Sequence, residues 1–165
     1  MCIAADSWTP DSKHIVTASR DGTCKIWRVT TSPSTDSTVE GQEYDLFCIH
    51  TFTPFAGIAV TAVDIYRFTP VSDLLLSGAW LLALGAENGD MQVRAVSCTD
   101  SSVEVTEQLL LTVPEAHAHG ATVRRIRWRP TPPSAAGLEE SNTVKALDFA
   151  SCGEDKTVRV HRIVL

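Results

Sequence analysis

The chain has 165 residues, a one-domain length, with 44% hydrophobic and 21% charged residues, so it can bury a core and is not disordered throughout. Its formal charge of −6 argues against a general nucleic-acid binder. The charge is uneven: residues 1–120 hold 6 Lys+Arg against 15 Asp+Glu, whereas residues 121–165 hold 8 against 5.

Taken in chain order, the first unit runs from Ser7 to Val29 and reads SWTPDSKHIVTASRDGTCKIWRV. Alternating apolar and polar residues, many β-branched or aromatic, predict strands near 2–8, 14–19, 23–29 and 45–52. Asp21-Gly22 is a tight-turn dipeptide between the second and third of these. The Ser, Thr, Pro and Gly of residues 30–43 predict an exposed linker before the fourth.

A second unit is expected at 59–67, 80–86, 91–97 and 104–113, with Asn88-Gly89 as its turn. Residues 69–78 read as a loop. The apolar run Leu74–Leu84 is about half a bilayer span, which predicts a buried strand and its approach rather than a membrane segment. Residues 103–111 also fit a short helix; a strand is preferred because a fourth strand is due there. The third unit is expected at 121–129, 146–152 and 157–164, interrupted by a polar insert at 130–143 and lacking a fourth strand. Residues 17–27 (TASRDGTCKIW) and 151–161 (SCGEDKTVRVH) superimpose without a gap, so the chain is read as a repeat protein.

These units resemble WD repeats. The resemblance implies an all-β fold: a WD-repeat β-propeller of about three four-stranded antiparallel blades in an incomplete ring. The blades divide as 1–53, 58–113 and 119–165, the last without its fourth strand. In that family a hydrogen-bonded chain of His, Ser/Thr, Asp and Trp holds each blade. Thr17, Asp21 and Trp27 match three of those places in blade one, although Arg28 stands where the family has Asp. Its His would lie upstream of Met1, so an amino-terminal portion is expected to be missing. In blade three Ser151 and Asp155 match, His161 occupies the Trp place, and His119 or His117 supplies the His, with His119 preferred. Blade two departs, with Leu84, Asn88 and Arg94 at the three places.

Other chemistry is weakly represented. The pair His117-x-His119 lacks a third ligand at metal-binding spacing, so no metal or other cofactor is expected. Five cysteines, an odd number with no Cys-x-x-Cys, read as reduced thiols. No phosphate loop, nucleophile elbow or paired-carboxylate constellation appears, and no enzymatic activity is expected. The sharpest surface feature is ArgArgIleArgTrp at 124–128. Alternation puts Arg125, Arg127 and Arg129 on one face, for pairing with acids such as Asp148 or Glu154, or for an acidic partner or RNA backbone.

The end of the chain narrows the resemblance. VTAV at 60–63, ALGAENG at 83–89, a His-rich approach, RRIRW at 124–128 and FASCGED at 149–155 occur in the order found in the Elongator subunit 2 family. That likeness implies a non-catalytic scaffold whose partners are other Elongator subunits, in cytoplasm and nucleus, supporting wobble-uridine modification of transfer RNA. Direct nucleic-acid contact is not indicated, and no membrane partner is expected. The alternative is an adaptor of an unrelated assembly, in signalling or ubiquitin ligation.

Overall fold

The computed structural model describes residues 3–33, 42–67, 79–98, 105–130 and 146–165. The expected loop at 69–78, residues 131–143 of the expected insert and most of the 30–43 linker lie outside the described residues. The described residues form eleven strands and a single 3₁₀ turn at Ala118–Gly120. The strands are β1 Ile3–Trp8, β2 His14–Ser19, β3 Cys24–Pro33, β4 Gln42–Phe52, β5 Val60–Arg67, β6 Trp80–Ala86, β7 Met91–Cys98, β8 Val105–Val113, β9 Val123–Trp128, β10 Ala146–Gly153 and β11 Val158–Val164. Strand β8 covers the stretch that also fitted a helix.

The strands build three antiparallel sheets in simple meander order: β1-β2-β3-β4, β5-β6-β7-β8, and β9-β10-β11. The hairpin of β3 and β4 is longer than expected, pairing out to Pro33 with Gln42. The β-branched Thr30 and Thr31 extend the ladder into what read as linker.

The same irregularity recurs in each sheet. The register slips between Ile3 and Ala5, between Val60 and Ala62, and opposite Cys152 and Gly153, which face Arg125 and Val123. One residue is therefore left over at the same point of each first strand: Ala4, Thr61 and Arg124. A second slip recurs where the fourth strand passes Ile26–Trp27 in the first sheet and Val93–Arg94 in the second. Sheet three has no fourth strand among the described residues to carry it.

Packing follows the sheet order. One apolar core joins sheets one and two through Val16, Ile26, Val63, Leu82 and Leu84, and another joins sheets two and three through Leu81, Val93, Ile126, Trp128 and Phe149. Strand β6 lies in the middle sheet and is buried on both faces throughout its length. That explains its unbroken WLLALGA, whereas β10 alternates because only one face is covered. Each fully buried leucine there contributes roughly 1.5–3 kcal/mol. Gly85 allows the close approach of sheet three, because a Cβ there would stand 2.5 Å from Val123 Cγ1. The first strands β1, β5 and β9 lie side by side and line a common cleft, the arrangement of consecutive propeller blades.

Candidate functional site

In blade one the β2–β3 hairpin brings two of the three predicted residues together. The indole Nε1 of Trp27 donates to Thr17 Oγ1 at 2.9 Å. Asp21 is not part of that chain. It caps its own turn, accepting from Thr23 N–H at 3.0 Å and from Thr23 Oγ1 at 2.6 Å. Chiefly through the Thr23 hydroxyl, these bonds hold its carboxyl below the usual range.

Blade three holds a longer chain. Asp155 Oδ1 lies 3.0 Å from His117 Nδ1, His117 Nε2 lies 2.9 Å from Ser151 Oγ, and Ser151 Oγ lies 3.0 Å from His161 Nε2. The histidine is therefore His117, not the preferred His119. Its ring is fully buried, and its backbone N–H donates to Gly89 O of blade two at 3.3 Å. Two residues on, the backbone enters the left-handed region at φ 58°, and this turns His119 outward to solvent. Gly153 makes room for the ring, since a Cβ at that position would meet His117 Nδ1 at 2.5 Å.

The Asp155 carboxyl is pushed up by burial, but hydrogen bonds outweigh this and hold it well below the usual carboxylate range. They come from Thr157 N–H, Thr157 Oγ1, His117 and the Ala118 N–H. His161 stacks on Phe149 with ring centroids 4.9 Å apart. Burial, then His117 and Arg159, lower its imidazole pKa.

An Asp–His–Ser sequence of contacts is also the arrangement of a hydrolytic triad. Here Ser151 is 2% exposed, and its hydroxyl is held by an imidazole on each side. Ser151 does not line the cleft formed by the inner strands. This geometry is that of a buried polar brace, which stiffens a blade when every member is satisfied.

Blade two lacks the chain and carries a different one. Arg94, at the Trp place, bonds Gln92 Oε1 at 3.0 Å and pairs with Glu107 at 3.4 Å; its guanidinium lies over the Phe52 ring of blade one. Glu107 reaches His50 of blade one at 3.9 Å, and Gln92 donates to Pro54 O at 2.8 Å. Charged and amide groups thus join blades one and two, where an indole would have served within one blade.

Sequence reasoning missed Asp64. It sits on β5, accepts from Trp128 N–H of blade three at 2.8 Å and from Ser7 Oγ of blade one at 3.4 Å, and pairs with Arg127 at 3.6 Å. One carboxylate therefore touches all three blades. The signal for it was an acid between Val63 and Ile65, in the apolar middle of the strand VTAVDIYR.

The arginines of β9 do divide from Ile126 and Trp128, which are buried. The bulge adds Arg124 to the exposed set, where it pairs with Glu154. Arg127 pairs with Asp64, and Arg129 with Asp148 at 3.2 Å. Asp148 also takes two bonds from Arg162, and these lower its pKa first and most. No partner is found for Arg125 among the described residues. It lines a cleft of about 270 Å³ with Ala4, Ala5, Asp6, Thr61 and Arg127.

Among the described residues no cluster of three or more His, Cys, Asp or Glu could hold a metal ion. Nor is any helix there long and apolar enough to cross a membrane. Cys24 is buried, and that burial raises its thiol pKa to about 12, so it is inert as a nucleophile.

Comparison with known proteins agrees with this architecture. A family model described as "WD domain, G-beta repeat" matches residues 1–28. The chain is 30% identical over 156 residues to Elongator complex protein 2 of Rattus norvegicus, covering 94% of this chain and 17% of the relative. For the Homo sapiens protein of that name the values are 30% over 160 residues, 94% and 18%; for Arabidopsis thaliana they are 32% over 160 residues, 96% and 16%. The chain thus spans about a sixth of the length of these curated relatives. Among solved structures, a chain of "Apo ctPRC2 in an autoinhibited state" superposes with a TM-score of 0.58 at 16% identity, over 96% of this chain and 27% of that one. A chain of "Structure of ctPRC2 in complex with H3K27me3 and H3K27M" gives 0.52 at 17% identity, over 96% and 26%. At these identities the likeness shows the fold alone.

Proposed function

We propose that this chain is part of a non-catalytic WD-repeat scaffold that assembles with Elongator subunits and thereby supports wobble-uridine modification of transfer RNA. One observation carries the reading: near-complete coverage of the chain by relatives named Elongator complex protein 2. The braced blades agree with it, because their polar chains are closed on themselves and oriented for rigidity. Contact with other subunits falls to rims and loops, as in repeat scaffolds generally. Of the three candidate partner-binding arginines, Arg127 and Arg129 are engaged within the chain, which leaves Arg125 as the one to meet an acidic segment. Such a scaffold would work in cytoplasm and nucleus.

Affinity capture of the tagged chain from cells, followed by mass spectrometry, tests the proposal. Recovery of the other Elongator subunits supports it, whereas a different stable set of partners overturns it in favour of an unrelated adaptor. Arg125→Glu is expected to reduce that recovery at least about tenfold, as for loss of one buried charge contact. Undiminished recovery removes Arg125 from the interface.

A further inference from the structure

Residues opposite one another in an antiparallel pair share a face of the sheet, so the registers sort each blade into two faces. Toward blade three, blade two presents two rows: Ala62 with Gly85 and Met91, and Asp64 with Ala83 and Val93. The matching rows of blade three are Arg125 with Cys152 and Val158, and Arg127 with Ala150 and Val160. Met91 and Val93 are buried beneath blade three, whereas Val158 and Val160 are exposed. The last face is thus built on the plan of a covered one, with two arginines on its inner strand.

The other face of each blade looks back at its predecessor. Val123, Ile126 and Trp128 of β9 cover blade two. A Cβ at Gly85 would stand 2.5 Å from Val123 and 3.1 Å from Ile126, and the Trp128 N–H donates to Asp64 at 2.8 Å. By register, the same three places in blade one are Ile3, Asp6 and Trp8. There all three are exposed, whereas their counterparts in blade three are buried.

Each blade meets the next by one repeated step. Taken once more beyond blade three, that step sets Ile3 over Cys152, as Val123 lies over Gly85. It sets Asp6 in the place of Ile126, over the row of Arg125. Trp8 falls in the place of Trp128, beside Arg127. The charges match, because neither Asp6 nor Arg125 has a partner among the described residues. Arg124 and Arg129 are already paired with Glu154 and Asp148, and Lys25 of blade one lies over the Trp27 ring.

We propose that this chain associates head to tail with a second copy of itself, blade one of each copy seated on blade three of the other. At both joints Asp6 meets Arg125, and the Trp8 indole lies against the Arg127 guanidinium. Two copies of three sheets make six blades, within the about four to eight of closed propellers, so a two-fold axis along the cleft closes the ring. Arg125, left above for an acidic segment, is met here by an acid of the same protein. The purified chain tests this with no Elongator subunit present, so its outcome is separate from that of the assembly proposal.

Sedimentation equilibrium of the full chain is expected to reach a limiting mass of twice 17.9 kDa. Asp6→Arg and Arg125→Glu should each raise the dimer dissociation constant at least about tenfold, since each sets like charges against one another at both joints. Mixed in equal amounts, the two variants should regain the dimer, because every joint of the mixed ring then sets one cation against one carboxylate. The double variant should regain it alone. Circular dichroism checks the fold, and if a reversal unfolds the chain, Asp6→Asn and Arg125→Gln carry the test with a smaller weakening. The ring is overturned by a monomer at all concentrations, by a mass that climbs past two copies without limit, or by a dimer indifferent to both reversals. Such results leave the two faces to another occupant, whether further blades of a longer chain or strand addition at β11. A mixture that fails to recover the dimer overturns it as well.

Discussion

At the scale of single residues, distance along the chain picked Thr17, Ser151 and Asp155, which do join hydrogen-bonded chains, but it also picked Asp21, which caps its own turn, and it could not separate His117 from His119. Both stand at compatible spacing, and the choice is made by a left-handed backbone at His119 that has no signature in a His-Gly pair. His117→Ala strips partners from buried Ser151 and from Asp155, so it should cost about 1–3 kcal/mol in denaturant unfolding, whereas His119→Ala should stay within about 0.5 kcal/mol. Equal effects would return the role to His119. A related case is Lys156, at φ 62°, where Gly22 and Gly89 hold the equivalent turn position at φ 85° and 87°. Lys156→Gly should stabilise by roughly 1 kcal/mol, measured as a rise in melting temperature, because a left-handed L-residue is strained by about that much. Asp64 was illegible for another reason: what it binds, Ser7 and Trp128, lies 57 and 64 residues away, and no local pattern encodes such a contact.

At the scale of strands, existence and order were legible from alternation and turn dipeptides, including β8 where a helix also fitted. The length of the β3–β4 hairpin was not, because Ser, Thr and Pro read as linker until a partner strand is present to pair with them. Strand β6 was recognisable as buried, although the reason came only with the fold: among the described strands it alone is buried along its whole length, between neighbouring sheets. Leu82→Ala in β6 should therefore cost about 2–5 kcal/mol, as a cavity in a closed core, and should weaken the joint of blades one and two. Val160→Ala in β11, where the side chain is 74% exposed, should cost under about 1 kcal/mol. Matching losses at the two sites would mean that the outer face of blade three is also covered.

At the scale of the whole molecule, both outer faces carry bare apolar side chains. Ile3, Trp8 and Leu46 are 50–55% exposed on blade one, and Val158, Val160 and Val164 are 62–74% exposed on blade three. With β11 the outer strand of its sheet among the described residues, the second face invites strand addition. Residues 1–165 alone should form concentration-dependent oligomers in light scattering, and Val160→Lys should shift them to smaller species. A sharp monomer peak with cooperative melting would contradict this. The inner side of the molecule has the opposite character. Ala4, Thr61 and Arg124 each fall outside the pairing of their ladders at the same point of successive blades. Thr61 is held by its hydroxyl, which donates to Gly85 O at 3.2 Å and to Val123 O of blade three at 2.6 Å, whereas Ala4 and Arg124 behave as exchangeable sockets at the cleft. Their size and sign can drift, or be rewritten by a protein engineer, while the blades behind them keep their alignment.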